Sequence, residues 1–200
     1  MKLLRIVIFA KAALPGFAKT RLIPALGAHG AAELARRLVA DALVRALAAR
    51  VGPVELCVTP DTADPVWQTF ALPRGVQLTD QGEGDLGARM ARAARRVLEG
   101  GESVLLIGTD CPALDALRLQ QAAAALKHAD ATLVPAFDGG YVLLGLNKFH
   151  PSLFSSMAWS TNDVAAETLL RFNKLNWRVS TQPALHDIDE PEDLKWLAAV

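Results

Sequence analysis

Three cations, Lys11, Lys19 and Arg21, fall within eleven residues around a Pro15-Gly16 turn. Cationic side chains beside a glycine, where backbone can approach an anion closely, suit a phosphate cradle. Four carboxylates, Asp110, Asp138, Asp187 and Asp189, stand just after short apolar runs or just before a helix. Alone they would repel a phosphate. Holding Mg²⁺ or Mn²⁺ beside the lysines and arginine, they would form a site for a nucleoside diphosphate or triphosphate. The chemistry such a site supports is substitution at phosphorus or at a sugar carbon, with charge on the departing phosphate oxygens stabilised by the cations.

Asp110 is the centre of this pattern. Val104 to Ile107 is an unbroken apolar run that suits a strand buried on both faces of a parallel sheet, and Gly108-Thr109-Asp110-Cys111-Pro112 ends it abruptly. An acid at the carboxyl end of a central parallel strand sits where open α/β sheets bind ligands. The competing reading is that Asp110 caps a helix starting near Leu114. Asp138, followed by Gly139, Gly140 and Tyr141, reads either as a functional carboxylate or as part of a turn, since Asp-Gly is also a hairpin signal. Tyr141 can pack against a ligand ring or against a neighbour. Asp85 is an obvious N-cap, yet Gly82, Gly84 and Gly87 around it would let a ligand reach backbone N–H groups at a helix start, with Arg89 as a phosphate or ribose contact. Cys111 has no neighbouring base and reads as a packing residue. The Lys19-Thr20 pair is no Walker loop, because Ala18 and Ala13 stand where that motif needs glycine.

The elements that carry these residues alternate strand and helix. Leu3 to Ala10, Val54 to Thr59, Val76 to Thr79, Val104 to Ile107, Ala131 to Ala136, Val142 to Leu146 and Trp177 to Thr181 read as strands, the sixth of them antiparallel. Helical spacing marks Gly30 to Arg50, a short stretch from Asp64 to Phe70, a segment starting after Gln81, Leu114 to Lys127, a helix ending near Phe172 with Ser160 or Thr161 as N-cap, and a last helix from about Pro191. The expectation is one α/β domain over residues 1–200, a three-layer α/β/α sandwich with a mostly parallel sheet.

Composition narrows the classes. The 21 Lys and Arg residues balance 21 Asp and Glu, so no nucleic-acid surface or polybasic membrane patch is expected. No apolar run reaches the roughly 20 residues of a membrane span, and Lys2 and Arg5 lead straight into a strand rather than a signal peptide, so a cytoplasmic location is expected. Two cysteines with no CxxC spacing argue against structural zinc or a disulfide framework.

Taken together, Phe9-Ala10-Lys11, Pro15-Gly16, Lys19-Thr20-Arg21-Leu22, Gly84 to Met90, Gly108 to Pro112, Asp138 to Tyr141, Trp159-Ser160-Thr161 and Asp187-Ile188-Asp189 with Pro191-Glu192-Asp193-Leu194 resemble the radical-SAM/selenodomain-associated transferase family. That bacterial group belongs to the glycosyltransferase-A, or nucleotide-diphospho-sugar transferase, superfamily. Nearly the whole chain is covered, with Ala13 standing where the family usually has proline. The resemblance implies a glycosyltransferase-A-type fold, with Lys11, Gly16, Lys19 and Arg21 on the nucleotide phosphates. Asp110 and Asp189 would hold the metal, Asp189 falling on the Asp-x-Pro-Glu-Asp-Leu segment of sugar-acid cytidylyltransferases. Lys19 to Leu22 is similar to the Lys-Ser-Arg-Leu segment of phospholactate guanylyltransferases, which lies near the nucleotide phosphates. Asp138, with Gly139, Gly140 and Tyr141, falls to the acceptor side, making Asp110 and Asp138 the expected catalytic carboxylates.

Three functions remain open on sequence: a metal-dependent glycosyltransferase taking a nucleotide-diphospho-sugar and a small acceptor, a nucleotidyltransferase joining a nucleoside triphosphate to a phosphorylated acceptor, and a nucleotide-binding protein without chemistry. The three cations of the opening loop lean toward a triphosphate; the superfamily leans toward a sugar donor.

Overall fold

A computed structural model describes residues 2–199. Seven strands form one sheet: β1 (Leu4–Lys11), β2 (Val54–Thr59), β3 (Gln77–Asp80), β4 (Ser103–Ile107), β5 (Ala131–Pro135), β6 (Tyr141–Leu146) and β7 (Val179–Thr181). Their spatial order is β3-β2-β1-β4-β6-β5-β7. Every pairing is parallel except those of β6 with β4 and β5, so β6 alone runs backwards. The reversal follows from the Asp138-Gly139-Gly140 hairpin that joins β5 to β6, as the glycines lead one to expect.

This topology puts the carboxyl ends of β1, β4 and β5 and the start of β6 on one edge. Between β1 and β4 the chain switches direction of growth, β2 and β3 lying on one side of β1 and β4 on the other. Ligand crevices form at such switch points.

Five helices cover the faces: α1 (Ile23–Ala49), α2 (Pro65–Gln68), α3 (Leu86–Glu99), α4 (Ala116–Ala125) and α5 (Val164–Lys174). Strand alternation divides the core between them. Ile6, Ile8, Ala10, Leu105 and Ile107 point to the layer holding α1 and α4, while Val7, Val104 and Leu106 point to that of α3 and α5. No helix among the described residues is long and apolar enough to cross a membrane.

Some boundaries differ from the sequence expectation. Helix α1 begins earlier than Gly30 and kinks at Gly27, whose φ of 69° only glycine adopts freely. The N-cap position of α5 is Asp163 rather than Ser160 or Thr161, and no side chain there makes a capping bond; Thr161 Oγ1 instead donates to the Ala158 carbonyl at 2.8 Å. Helix α4 is capped by Asp115, which accepts from the Arg118 N–H at 2.8 Å, so Asp110 is released from the capping role. The closing segment Pro191–Ala199 is 3₁₀ throughout.

A small third cluster does most to shape the functional edge. Leu22 and Ile188 are both fully buried in it, packed with Ala31, Leu34 and Leu38 of α1. Leu22 follows Lys19 by one turn and Ile188 adjoins Asp189. Burying these two apolar side chains together therefore draws the opening loop and the C-terminal segment to one place.

Candidate active site

The C-terminal segment is fastened along the strand ends by backbone hydrogen bonds. Leu185 N–H donates to the Pro135 carbonyl at 3.0 Å, Phe137 N–H to the Leu185 carbonyl at 3.0 Å, and Ile188 N–H to the Asp110 carbonyl at 2.8 Å. His186 is stacked between Phe137 and Trp196, each ring centroid 4.1 Å away. Asp187 and Asp189, on either side of the buried Ile188, thus stand against the end of β4.

Asp110 and Asp189 meet through Lys19. The ammonium donates to Asp189 Oδ1 at 2.6 Å and to Asp110 Oδ2 at 3.2 Å, and the lysine side chain is only 12% exposed. Lys19 occupies the left-handed region at φ 47°, a cost in backbone free energy that often marks functional positions. Gly108 leaves room for the neighbouring carboxylate, since a Cβ there would lie 2.8 Å from Asp110 Oδ1. Burial pulls the Lys19 pKa down, but the charges of Asp110 and Asp189 and the hydrogen bonds to both outweigh it, leaving the pKa above the ordinary lysine value.

Asp187 carries a strongly perturbed carboxyl. Burial first, then the neighbouring charges of Asp138, Asp110 and Asp189, push its pKa up to about 7. Two of the four acids, Asp110 and Asp189, bond the buried Lys19 ammonium.

These residues line one cleft of about 510 Å³ at the β1/β4 switch point. One wall is the opening loop, with Lys11, Lys19 and Arg21; the Lys11 ammonium sits 3.9 Å above the Phe17 ring, and Arg21 Nη1 is 3.2 Å from Glu190. The floor carries Gly108, Thr109 and Asp110. The opposite wall combines Asp138, Gly140 and Tyr141 with Leu86, Met90, Trp159 and Val164 and has no Lys, Arg or His. Asp138 Oδ1 accepts from Gly140 N–H at 2.8 Å, which holds the tight turn. The Tyr141 hydroxyl, its pKa pushed up by desolvation, donates to Met90 Sδ at 3.8 Å.

Thus Lys11, Lys19, Arg21, Asp110, Asp138, Gly140, Tyr141 and Asp189 come together, and Asp187 with them. Gly16, Gly139, Asp85 and Arg89 lie outside the lining. Gly16 shapes the opening loop at φ 77°. Asp85 Oδ1 caps α3 by accepting from Ala88 N–H at 2.8 Å, and Arg89 donates to the Gly84 carbonyl at 2.8 Å and to Gln81 Oε1 at 3.2 Å. Cys111 is buried with its thiol pushed up to about 12, mainly by desolvation, which suits packing and not nucleophilic attack.

Sequence reading passed over Gln81. Its buried amide donates to the Ala10 and Cys57 carbonyls, both at 3.0 Å, tying the ends of β1 and β2 to the start of α3. A lone glutamine between a strand and a glycine-rich loop carries no periodic signal. The apolar wall was also missed, because Leu86 and Met90 look like ordinary inner positions of a helix.

Among the described residues no three His, Cys, Asp or Glu side chains converge as a self-sufficient metal-ligand set. The donors nevertheless fit a hard dication that completes its shell elsewhere. Mg²⁺ is commonly held by one or two carboxylates plus substrate phosphates and water. Asp110 and Asp189, both within reach of one ammonium, supply such a pair, and Lys11 and Arg21 flank the space where phosphates would lie.

Fold and cleft together define the class: an α/β chain built like the nucleotide-diphospho-sugar transferases and cytidylyltransferases. Residues 42–161 match the family described as "Uncharacterized protein conserved in bacteria (DUF2064)", and the chain belongs to that family. A crystal structure from Desulfovibrio desulfuricans G20, described as a "putative nucleotide-diphospho-sugar transferase", is 33% identical and superposes with a TM-score of 0.90 over 98% of this chain and 87% of that one. The fold is also that of 4-diphosphocytidyl-2C-methyl-D-erythritol synthase from Anaerococcus prevotii DSM 20548, at 11% identity and TM-score 0.65, covering 99% of this chain and 97% of that one. Rv0371c of Mycobacterium tuberculosis H37Rv, solved in complex with manganese, is 14% identical with a TM-score of 0.53, covering 98% of each chain. No curated protein matches the sequence.

Proposed function

We propose that this chain is a single-domain cytoplasmic transferase, of the radical-SAM/selenodomain-associated group that its motifs resemble, moving a sugar from a nucleotide-diphospho-sugar to a small acceptor. The observation that carries the reading is the meeting of Lys19 with Asp110 and Asp189 inside a cleft whose other cations, Lys11 and Arg21, stand on the same loop. Lys11, Lys19 and Arg21 take the diphosphate oxygens, with the glycine turn at Gly16 setting their loop. Asp110 and Asp189 hold Mg²⁺ or Mn²⁺, which when bound supplies positive charge to the leaving diphosphate. The Desulfovibrio relative supports a sugar-nucleotide donor, and the manganese complex of the fold relative supports a divalent ion.

Asp138, Gly140 and Tyr141 shape the acceptor side. An acceptor hydroxyl attacks the anomeric carbon, the bond from that carbon to the diphosphate oxygen breaks, and the nucleoside diphosphate leaves. The hydroxyl proton passes to Asp138, whose carboxylate stands on the acceptor side of the cleft. The distribution of charge favours glycosyl over nucleotidyl transfer. A phosphorylated acceptor needs a second set of cations, whereas the acceptor wall offers carboxylates and apolar side chains.

The test is product analysis with nucleotide-diphospho-sugars and Mn²⁺. Glycosyl transfer releases nucleoside diphosphate, and loses it in Asp110→Asn. Release of pyrophosphate from a nucleoside triphosphate assigns the chain to nucleotidyl transfer instead. Binding of nucleotide with no product of either kind leaves a binding protein.

A further inference from the structure

We propose that Lys19 is an internal stand-in cation: it holds the place between Asp110 and Asp189, so that free divalent metal is excluded and the ligand that enters is the metal–polyphosphate complex. This rests on the metal reading above and concerns how that site is filled.

The geometry sets up a competition. One ammonium, 2.6 Å from Asp189 and 3.2 Å from Asp110, already satisfies an oxygen of each carboxylate. A dication bridging the same two groups, with metal–oxygen distances of about 2.1 Å, would crowd that ammonium and repel it. The lysine side chain is 12% exposed against 34% for Asp110 and 39% for Asp189, so it is the most enclosed side chain of the trio. A free ion must therefore expel Lys19 from two charge-assisted hydrogen bonds and leave it without a partner in a poorly hydrated place.

Polyphosphate removes that obstacle. Phosphate oxygens give Lys19 a new anionic partner beside Lys11 and Arg21, and they complete the metal's oxygen shell. Metal and polyphosphate then favour each other's binding by the same factor, as linkage requires. The movement needed is confined to the side chain. Lys19 N-caps the turn Thr20–Leu22, and Leu22 is fully buried against Ile188, so the backbone is pinned while four methylenes remain free to turn.

The experiment is a Mn²⁺ titration without nucleotide, read by the electron paramagnetic resonance of the free ion at neutral pH. Wild type, Lys19→Met, Lys19→Gln and Lys19→Arg are compared, each first shown to be folded by circular dichroism. Removing the charge is expected to tighten Mn²⁺ binding about tenfold or more in both neutral variants, within the usual range of coupling between sites, while Lys19→Arg stays as weak as wild type. Equal or weaker binding in Lys19→Met and Lys19→Gln overturns the proposal. Adding Asp110→Asn to Lys19→Met separates the two failures. If Mn²⁺ binds Lys19→Met and wild type alike and Asp110→Asn abolishes it, only the stand-in role is wrong. If no variant binds Mn²⁺, the stand-in role is wrong; if Asp110→Asn changes nothing, the metal reading itself fails and the proposal with it. In wild type, Mn²⁺ with inorganic pyrophosphate should raise the Tm by more than the two separate shifts combined; a shift from Mn²⁺ alone as large as that of the pair contradicts the inference.

Discussion

Gly139 packs directly on the backbone of Asn162: a Cβ built on the glycine would stand 2.0 Å from the Asn162 carbonyl oxygen. The Gly139 carbonyl also accepts from Ala165 N–H at 2.9 Å, so the β5–β6 turn that carries Asp138 is docked on the first turn of α5. With φ at 93°, the position is closed to side chains on both conformational and steric grounds. Gly139→Ala is expected to cost more than about 3 kcal/mol, from backbone strain plus overpacking. Urea denaturation checks this; a loss below 1 kcal/mol, on the order of a surface substitution, would mean the turn and α5 separate easily.

Asp187 makes stability depend on pH in a stated direction. Its folded pKa, about 7, lies above the ordinary aspartate value of 3.8, because burial and then Asp138, Asp110 and Asp189 disfavour the charged form. A raised folded pKa means the contribution is fully present below the unfolded value and is lost as pH climbs to the folded one. Asp187→Asn should therefore stabilise the protein above pH 7, with the gain shrinking toward pH 4. The full shift corresponds to about 4 kcal/mol, and water screening at this partly exposed site reduces it to about 2 kcal/mol. Urea midpoints at pH 5 and pH 8 measure the difference; a gain that is the same at both pH values contradicts it.

Among the described residues Glu55 is the one fully enclosed acid in the sheet, at 0% exposed. It accepts from Thr79 Oγ1 at 2.6 Å and pairs with Arg96, whose side chain is 45% exposed, and with Arg5, which keeps Glu102 at 2.9 Å. Breaking a buried pair costs about 3–5 kcal/mol when the surviving charge stays desolvated. Here Arg96 can turn to water and Arg5 has another partner. Glu55→Leu is accordingly expected to cost only about 1–2 kcal/mol, chiefly the lost hydrogen bonds. A measured loss above 3 kcal/mol, in that same buried-pair range, would show that the arginines stay desolvated.

The two aspartates that bracket the β4–α4 loop should separate stability from function. Asp115→Ala removes a helix cap and is expected to cost about 1 kcal/mol with Mn²⁺-dependent nucleotide binding intact. Asp110→Asn should leave the Tm within a few degrees of wild type while abolishing that binding. The opposite pattern would return Asp110 to the capping role that Asp115 fills.

The strands and their charged ends were legible because apolar runs and Gly or Pro stops are local signals. Lys11, Asp110 and Asp138 could be placed on one sheet edge from that pattern alone, and the reversed β6 followed from the glycines after Asp138. What joins Lys19 to Asp189 was not local. It depends on Ile188 N–H reaching the Asp110 carbonyl and on Ile188 sharing a cluster with Leu22, contacts between segments with no shared periodicity. Asp85 reads equally as a cap or a ligand contact and Arg89 as a phosphate or ribose contact; in the fold Asp85 caps α3 and Arg89 bonds the Gly84 carbonyl and Gln81. The raised pKa of Asp187 comes first from its burial and then from three other carboxylates, none of which local sequence shows.

The most direct test of the account is a double-mutant cycle on Mn²⁺ uptake in the presence of inorganic pyrophosphate, using Asp110→Asn, Asp189→Asn and the pair. If the two carboxylates grip one ion, either single change removes most of the affinity and the double variant loses little more. Losses that simply add would show that Asp110 and Asp189 act at separate places, and the shared metal and phosphate site would be refuted.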